Sequence, residues 1–149
     1  MSVPNSADFA LIKIQTADGP PAVLTLLCGI EGVTINRTVQ TNETYRRDCA
    51  KPNLPGQRKL RTTGASWSIS GSGSDNIDIE STMTEALGVR KEYSVELYKD
   101  DGTDGGDLMG TYAGTAMMTT RNQSYSQDAA GTLEVTLEGE GLLTWTAAT

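Results

Sequence analysis

The sequence predicts a mainly β protein: an antiparallel β-sandwich or split barrel of about seven strands with one short flanking α-helix at about 77–88. Three observations carry this. Apolar and polar residues alternate in several separate stretches, with the two-residue period of a half-buried strand. Sixteen glycines and abundant Ser and Thr favour turns and strands over helices. One segment alone, around residue 80, carries the 3.6-residue period of an amphipathic helix.

The strands follow in order. DFALIKIQ (8–15) and AVLTLLCGI (22–30) are apolar on both faces, the latter with Leu24, Leu26, Cys28 and Ile30 on one side and Val23 and Leu27 on the other. They are expected to be buried twice, by the core and by something else, with a turn at ADGPP between them. VTINRTV sets Val33, Ile35 and Val39 against Thr34, Asn36, Thr38 and Gln40. GASWSISGS sets Ala65, Trp67 and Ile69 against Ser66, Ser68 and Ser70. YSVELYK (93–99) and GTYAGTAMMTT (110–120) flank the hairpin loop DDGTDGGD. GTLEVTLEGEG closes the series, with Leu133, Val135 and Leu137 dry and Glu134, Thr136 and Glu138 wet.

The helix has both of its stop signals. Asp75 or Asn76 caps the start, and Asp78 and Glu80 favour the positive end of the dipole. Ile79, Met83, Ala86 and Leu87 form an apolar stripe that packs against the sheet and its Trp67 and Ile69. Gly88 supplies a left-handed stop, followed by Arg90 and Lys91. The preceding GSGSD lacks both GK[ST] and a GxGxxG pattern, so it reads as a strand-to-helix corner and not as a phosphate loop.

Charge is unevenly placed. The total is −7, with a pI near 4.5, which argues against a general nucleic-acid or anionic-membrane binder. Yet Arg46 to Arg61 (RRDCAKPNLPGQRKLR) holds six of the twelve cationic residues against one acid, a net +5 that leaves −12 on the remainder. The expected organisation is one domain over 1–149 bearing an extended basic loop at about 41–61. Cys28, in an apolar run, reads as buried, and Cys49 as incidental. No signal peptide or membrane span is recognisable.

Chemistry is sparse. The absence of His removes Ser-His-Asp and Cys-His catalysis and the commonest zinc sites, and no nucleophile motif stands in its place. DDGTDGGD fails the EF-hand pattern, since Thr111 stands where the bidentate Glu belongs. Glu134 and Glu138 share a strand face that reads as a solvated acidic surface more readily than as a glycosidase pair. The basic loop lacks an aromatic after Tyr45 to stack bases, which favours a protein contact. The expectation is a non-enzyme that uses no cofactor and no metal.

The succession of SWSISGSG (66–73), a short helix ending in Gly, YSVELY, a D/G hairpin, Gly110-Thr111 to Gly114-Thr115 and a closing Gly131 to Leu143 strand resembles the major tail tube proteins of long-tailed bacteriophages. The likeness runs from about Ala10 to Thr146. It implies a virion structural protein, made in the host cytoplasm, whose hexameric rings stack into a tail tube that conducts the genome. Partners implied are further copies of the chain, a tape-measure protein and a tail terminator; DNA passes without specific binding, and no membrane is involved. Loop 41–61 matches by length and position alone, and the resemblance gives Arg46, Arg47, Lys51, Arg58, Lys59 and Arg61 an inter-ring contact. Glu96, Glu134 and Glu138 are the candidates for lining the lumen, because an acidic wall repels phosphates. The helix is expected near a subunit boundary. Two alternatives stand beside this: a monomeric β-sandwich binding module for capsid decoration or carbohydrate recognition, and the tube protein of a contractile tail or secretion system.

Overall fold

A computed structural model describes residues 3–17 and 23–148. Strands β1 (Phe9–Ala17), β2 (Val23–Leu26), β3 (Ile30–Arg46), β4 (Gln57–Ser74), β5 (Arg90–Lys99), β6 (Asp107–Ser126) and β7 (Ala129–Ala147) form one antiparallel sheet in the order β2-β1-β5-β6-β7-β4-β3. Between β4 and β5 a 3₁₀ turn (Ile77–Ile79) runs into helix α1 (Glu80–Ala86). The expected strand count and single short helix are both present.

The sheet curls until its two halves share a core. A Cβ built on Gly71 of β4 would meet Ile30 of β3 at 2.8 Å, Ile12 of β1 at 3.3 Å and Val135 of β7 at 3.3 Å. Three strands thus converge on one missing side chain, and β1 packs against β3 although four strands separate them in the sheet order. The result is a split barrel with β2 and β3 as its open edges. Its core holds Ile12, Ile14, Trp67, Ile69, Tyr93, Val95, Met118, Leu133, Val135 and Leu137, and Ile79, Met83 and Ala86 of the helical segment complete it.

The predicted alternation places Trp67, Ile69, Leu133, Val135 and Leu137 inside and Glu134 and Glu138 outside. Departures have physical reasons. The expected strand 22–30 is broken: β2 ends at Leu26, the chain turns through Cys28 and Gly29 (φ 111°), and Ile30 opens β3. Leu27 and Ile30 are buried, whereas Val23, Leu24 and Cys28 are exposed, so the run is not doubly buried and Cys28 is not a core thiol. Strand 8–15 buries Ile12 and Ile14 on one face only, while Phe9 lies exposed, stacked on Tyr98 with centroids 5.3 Å apart. Val39 is exposed because β3 has left the barrel by that point. The ADGPP turn lies outside the described residues except for Ala17, which ends β1.

The helical segment spans 77–86, within two residues of expectation. Asn76 is the cap: its Oδ1 accepts from Asp78 N–H (3.1 Å) and its Nδ2 donates to the Cys28 carbonyl (3.1 Å). Leu87 departs from the predicted stripe. The helix ends at Ala86, Leu87 turns extended (ψ 121°), and its side chain is exposed before Gly88 takes the left-handed φ of 77°.

At the opposite end of the barrel β4 and β7 part company. Their pairing stops at Ser68–Glu138, and Trp67 fills the fork, its indole Nε1–H donating to the Gly141 carbonyl (3.1 Å). Val39, Ala65, Trp67, Leu142 and Leu143 line an apolar groove there of about 170 Å³.

Candidate assembly interface

The segment expected as a basic loop is a β-ribbon. Thr41–Arg46 pair residue by residue with Thr62–Gln57, and only 47–56 form the tip. Few apolar residues alternate here, so sequence periodicity gave no strand signal. A bulge at Thr63, whose hydroxyl donates to the Gln40 carbonyl (3.2 Å), interrupts the ribbon just beyond the barrel. The tip is held by successive turns: Asp48 carboxylate accepts from Ala50 N–H (2.9 Å), and Leu54 N–H donates to the Lys51 carbonyl (3.1 Å). Every residue from Asn36 to Pro55 is exposed.

Residues paired across an antiparallel ribbon share a face, so the register sorts the cations. Arg46, Lys59 and Arg61 stand on one face with Asn42, Thr44 and Gln57 as partners and no acid. Arg58 lies on the other with Tyr45, Leu60 and Glu43, and its guanidinium is 3.6 Å from the Glu43 carboxylate. Both partners are more than half exposed, so this pair adds at most about 1 kcal/mol. Arg47 and Lys51 occupy the tip.

The three candidate lumen glutamates do not form one group. Glu134 and Glu138 project from β7 beside a ladder of hydroxyls, with Ser72 opposite Glu134, Ser70 opposite Thr136 and Ser68 opposite Glu138. Thr34 and Asn36 of β3 continue the same rows. These rows are small, polar and anionic, and further along the same face Arg90 of β5, in the row of Glu138, pairs with Glu140. Glu96, two strands away on β5, is mostly buried and already matched: Lys13 Nζ lies 2.7 Å from its carboxylate and the Tyr98 hydroxyl donates to it. Burial works against its charge, but these partners outweigh burial and hold the Glu96 carboxyl below the usual range. The same bond, ahead of burial, pushes the Tyr98 phenol up to about 12. Lys13 was invisible as a partner because the β1–β5 pairing joins residues more than eighty positions apart.

The helix end carries a second polar cluster that sequence reasoning missed. Arg121 of β6, its side chain almost wholly buried, pairs with Glu80 and donates to Thr84 Oγ1 (3.3 Å). Asp75 accepts from the Tyr125 hydroxyl (2.7 Å), which keeps that phenol protonated above its usual range. These bonds pin the helical segment to the β6–β7 hairpin. Among the described residues no cluster of His, Cys, Asp or Glu is arranged to hold a metal, and no helix is long and apolar enough to cross a membrane.

The sequence pattern of phage tail tube proteins matches residues 5–145. No curated protein matches the chain. Among solved structures, a chain from the tail of an empty gene transfer agent particle, refined helically with C6 symmetry, is similar at 21% identity over 92% of this chain and 95% of that one, with a TM-score of 0.63. The SPP1 tail tube is similar at 12% identity over 94% and 77%, TM-score 0.62. A chain from the sheath/tube terminator of the PVC extracellular contractile injection system is similar at 14% identity over 98% and 99%, TM-score 0.60. At these identities the likeness is one of fold.

Proposed function

Because this chain belongs to the phage tail tube protein family, and so is a structural component of the virion tail, we propose that six copies close into a ring and that rings stack through the β3–β4 arm. The observation that carries this is the arm itself. An ordered ribbon exposed on every side, bearing most of a +5 segment, contributes nothing to its own barrel and has a physical reason only against another molecule. The C6 symmetry of the similar gene transfer agent tail supports six copies per ring. The open edges β2 and β3 give each sheet a place to continue into its neighbour.

Within such a ring the hydroxyl and glutamate face of β4 and β7 suits the lumen. Glu134 and Glu138 repel phosphates, and the serines offer only short neutral side chains, so a nucleic acid finds nothing to hold. Glu96, matched by Lys13, adds little net potential. A tape-measure protein inside the tube and a terminator at its end complete the reading, the latter supported by the likeness to a chain from a structure of a sheath/tube terminator assembly. That same likeness supports a second reading, a tube inside a contractile sheath, which microscopy of intact particles separates by the presence of a sheath.

The test is the solution mass of the purified protein together with negative-stain images. Six-fold rings or tubes are expected. A monomer at every concentration overturns the reading.

A further inference from the structure

The arm and the helical segment sit at opposite poles of the molecule, and β4 shows why. This one strand runs as ribbon from Gln57 to Ser66, as barrel wall from Trp67 to Ser74, and delivers the chain directly into the helical segment. At about 3.3 Å per residue the arm projects more than about 20 Å beyond the barrel. It points away from its own helix, so whatever complements it must come from another molecule.

The two poles have opposite charge. The arm end holds Arg46, Arg47, Lys51, Arg58, Lys59 and Arg61. Across the barrel, Asp75 to Glu85 contains four acids and no cation. Two of them are engaged within the chain, Glu80 with Arg121 and Asp75 with Tyr125. Burial of Ile79, Met83 and Ala86 leaves Asp78 and Glu85 on the outward side, exposed and without an ion pair among the described residues. Beside them Ile77 is 72% exposed, an apolar residue with no place in its own core, and Leu54 is its exposed counterpart at the arm tip.

We propose that the outward face of the helical segment, Asp78 and Glu85 around Ile77, receives the cationic arm of a second copy of this chain, joining copies head to tail. The inference rests on the tube reading above and adds the receiving surface. Such a contact uses two different patches and repeats without closing, as a filament requires. Being exposed, its ion pairs are screened, so tube length falls as salt rises.

A charge swap tests it. The helix-reversed variant Asp78→Lys with Glu85→Lys is expected to fold and form rings but lose long tubes. The arm-reversed variant Arg46→Glu, Arg47→Glu, Arg58→Glu and Lys59→Glu is expected to behave alike. Combining the two sets should restore tubes, seen by negative stain at matched concentration. Long tubes from the helix-reversed variant, or a combined variant that stays as rings while each parent forms rings, overturn the proposal and leave the tube reading standing. Wild-type protein that forms neither rings nor tubes overturns both.

Discussion

Trp67 shows how much one side chain organises here. Its indole lies against Gly139 and Gly114, and a Cβ built at Gly139 would overlap the ring. Gly139→Ala therefore overpacks the fork between β4 and β7 and is expected to cost about 1–3 kcal/mol, read as a melting temperature several degrees lower. Gly105→Ala, where a Cβ would meet nothing within 4 Å, should leave the melt unchanged. Equal effects would refute the packing argument. Glu96 gives a pH test. Its folded-state value is lowered, so its contribution is present above the ordinary glutamate value of 4.5 and lost as pH falls through the folded value. Wild type should exceed Glu96→Gln in denaturant midpoint at about pH 7, with the gap closing as pH falls below the ordinary glutamate range and through the folded value; a gap independent of pH would show that the charge is not responsible. At this scale the alternation of Trp67 and Ile69 was legible because each residue's face depends only on its neighbours, whereas the Lys13–Glu96 pair depends on a distant register.

At the scale of elements, Asn76 joins two pieces of the fold. It caps the 3₁₀ turn through Oδ1 and holds the β2–β3 turn through Nδ2. Asn76→Ala should cost about 1–2 kcal/mol, while Asn76→Asp, which keeps the cap acceptor and loses the donor, should cost less. Chemical unfolding of both variants checks this, and an Asp variant as weak as the Ala variant would contradict the capping account. The helical segment was legible because its cap, its buried Ile79 and Met83 and its Gly88 stop are all local signals. The break at Cys28–Gly29 was not, since the apolar run continues across it while serving two different strands. The ribbon at 41–62 was hidden for the converse reason: with no core to face, its strands carry no apolar alternation, and cross-strand pairing alone makes them strands.

At the scale of the whole molecule, the sandwich-or-split-barrel architecture was legible from the alternating strands, whereas the contact that closes it was not, because it depends on Ile12, Ile30 and Val135 meeting over Gly71 from three separate strands. Charge segregation was legible at once, and it carries the assembly prediction. Reversal of Arg46, Arg47, Arg58 and Lys59 to Glu touches nothing buried, so the protein should stay soluble and folded while long tubes disappear. Normal tubes in negative stain would exclude the arm as a stacking contact.

The two cysteines, both exposed, stand at the two poles, Cys28 in the turn bonded to Asn76 and Cys49 in the arm tip. They make the chain its own molecular ruler. In a single copy the thiols are held apart by the length of β4, but the proposed head-to-tail stack would bring Cys49 of one copy toward Cys28 of the next. A bifunctional thiol reagent should then convert assembled wild-type protein into a covalent ladder on a denaturing gel, with Cys49→Ser leaving single chains.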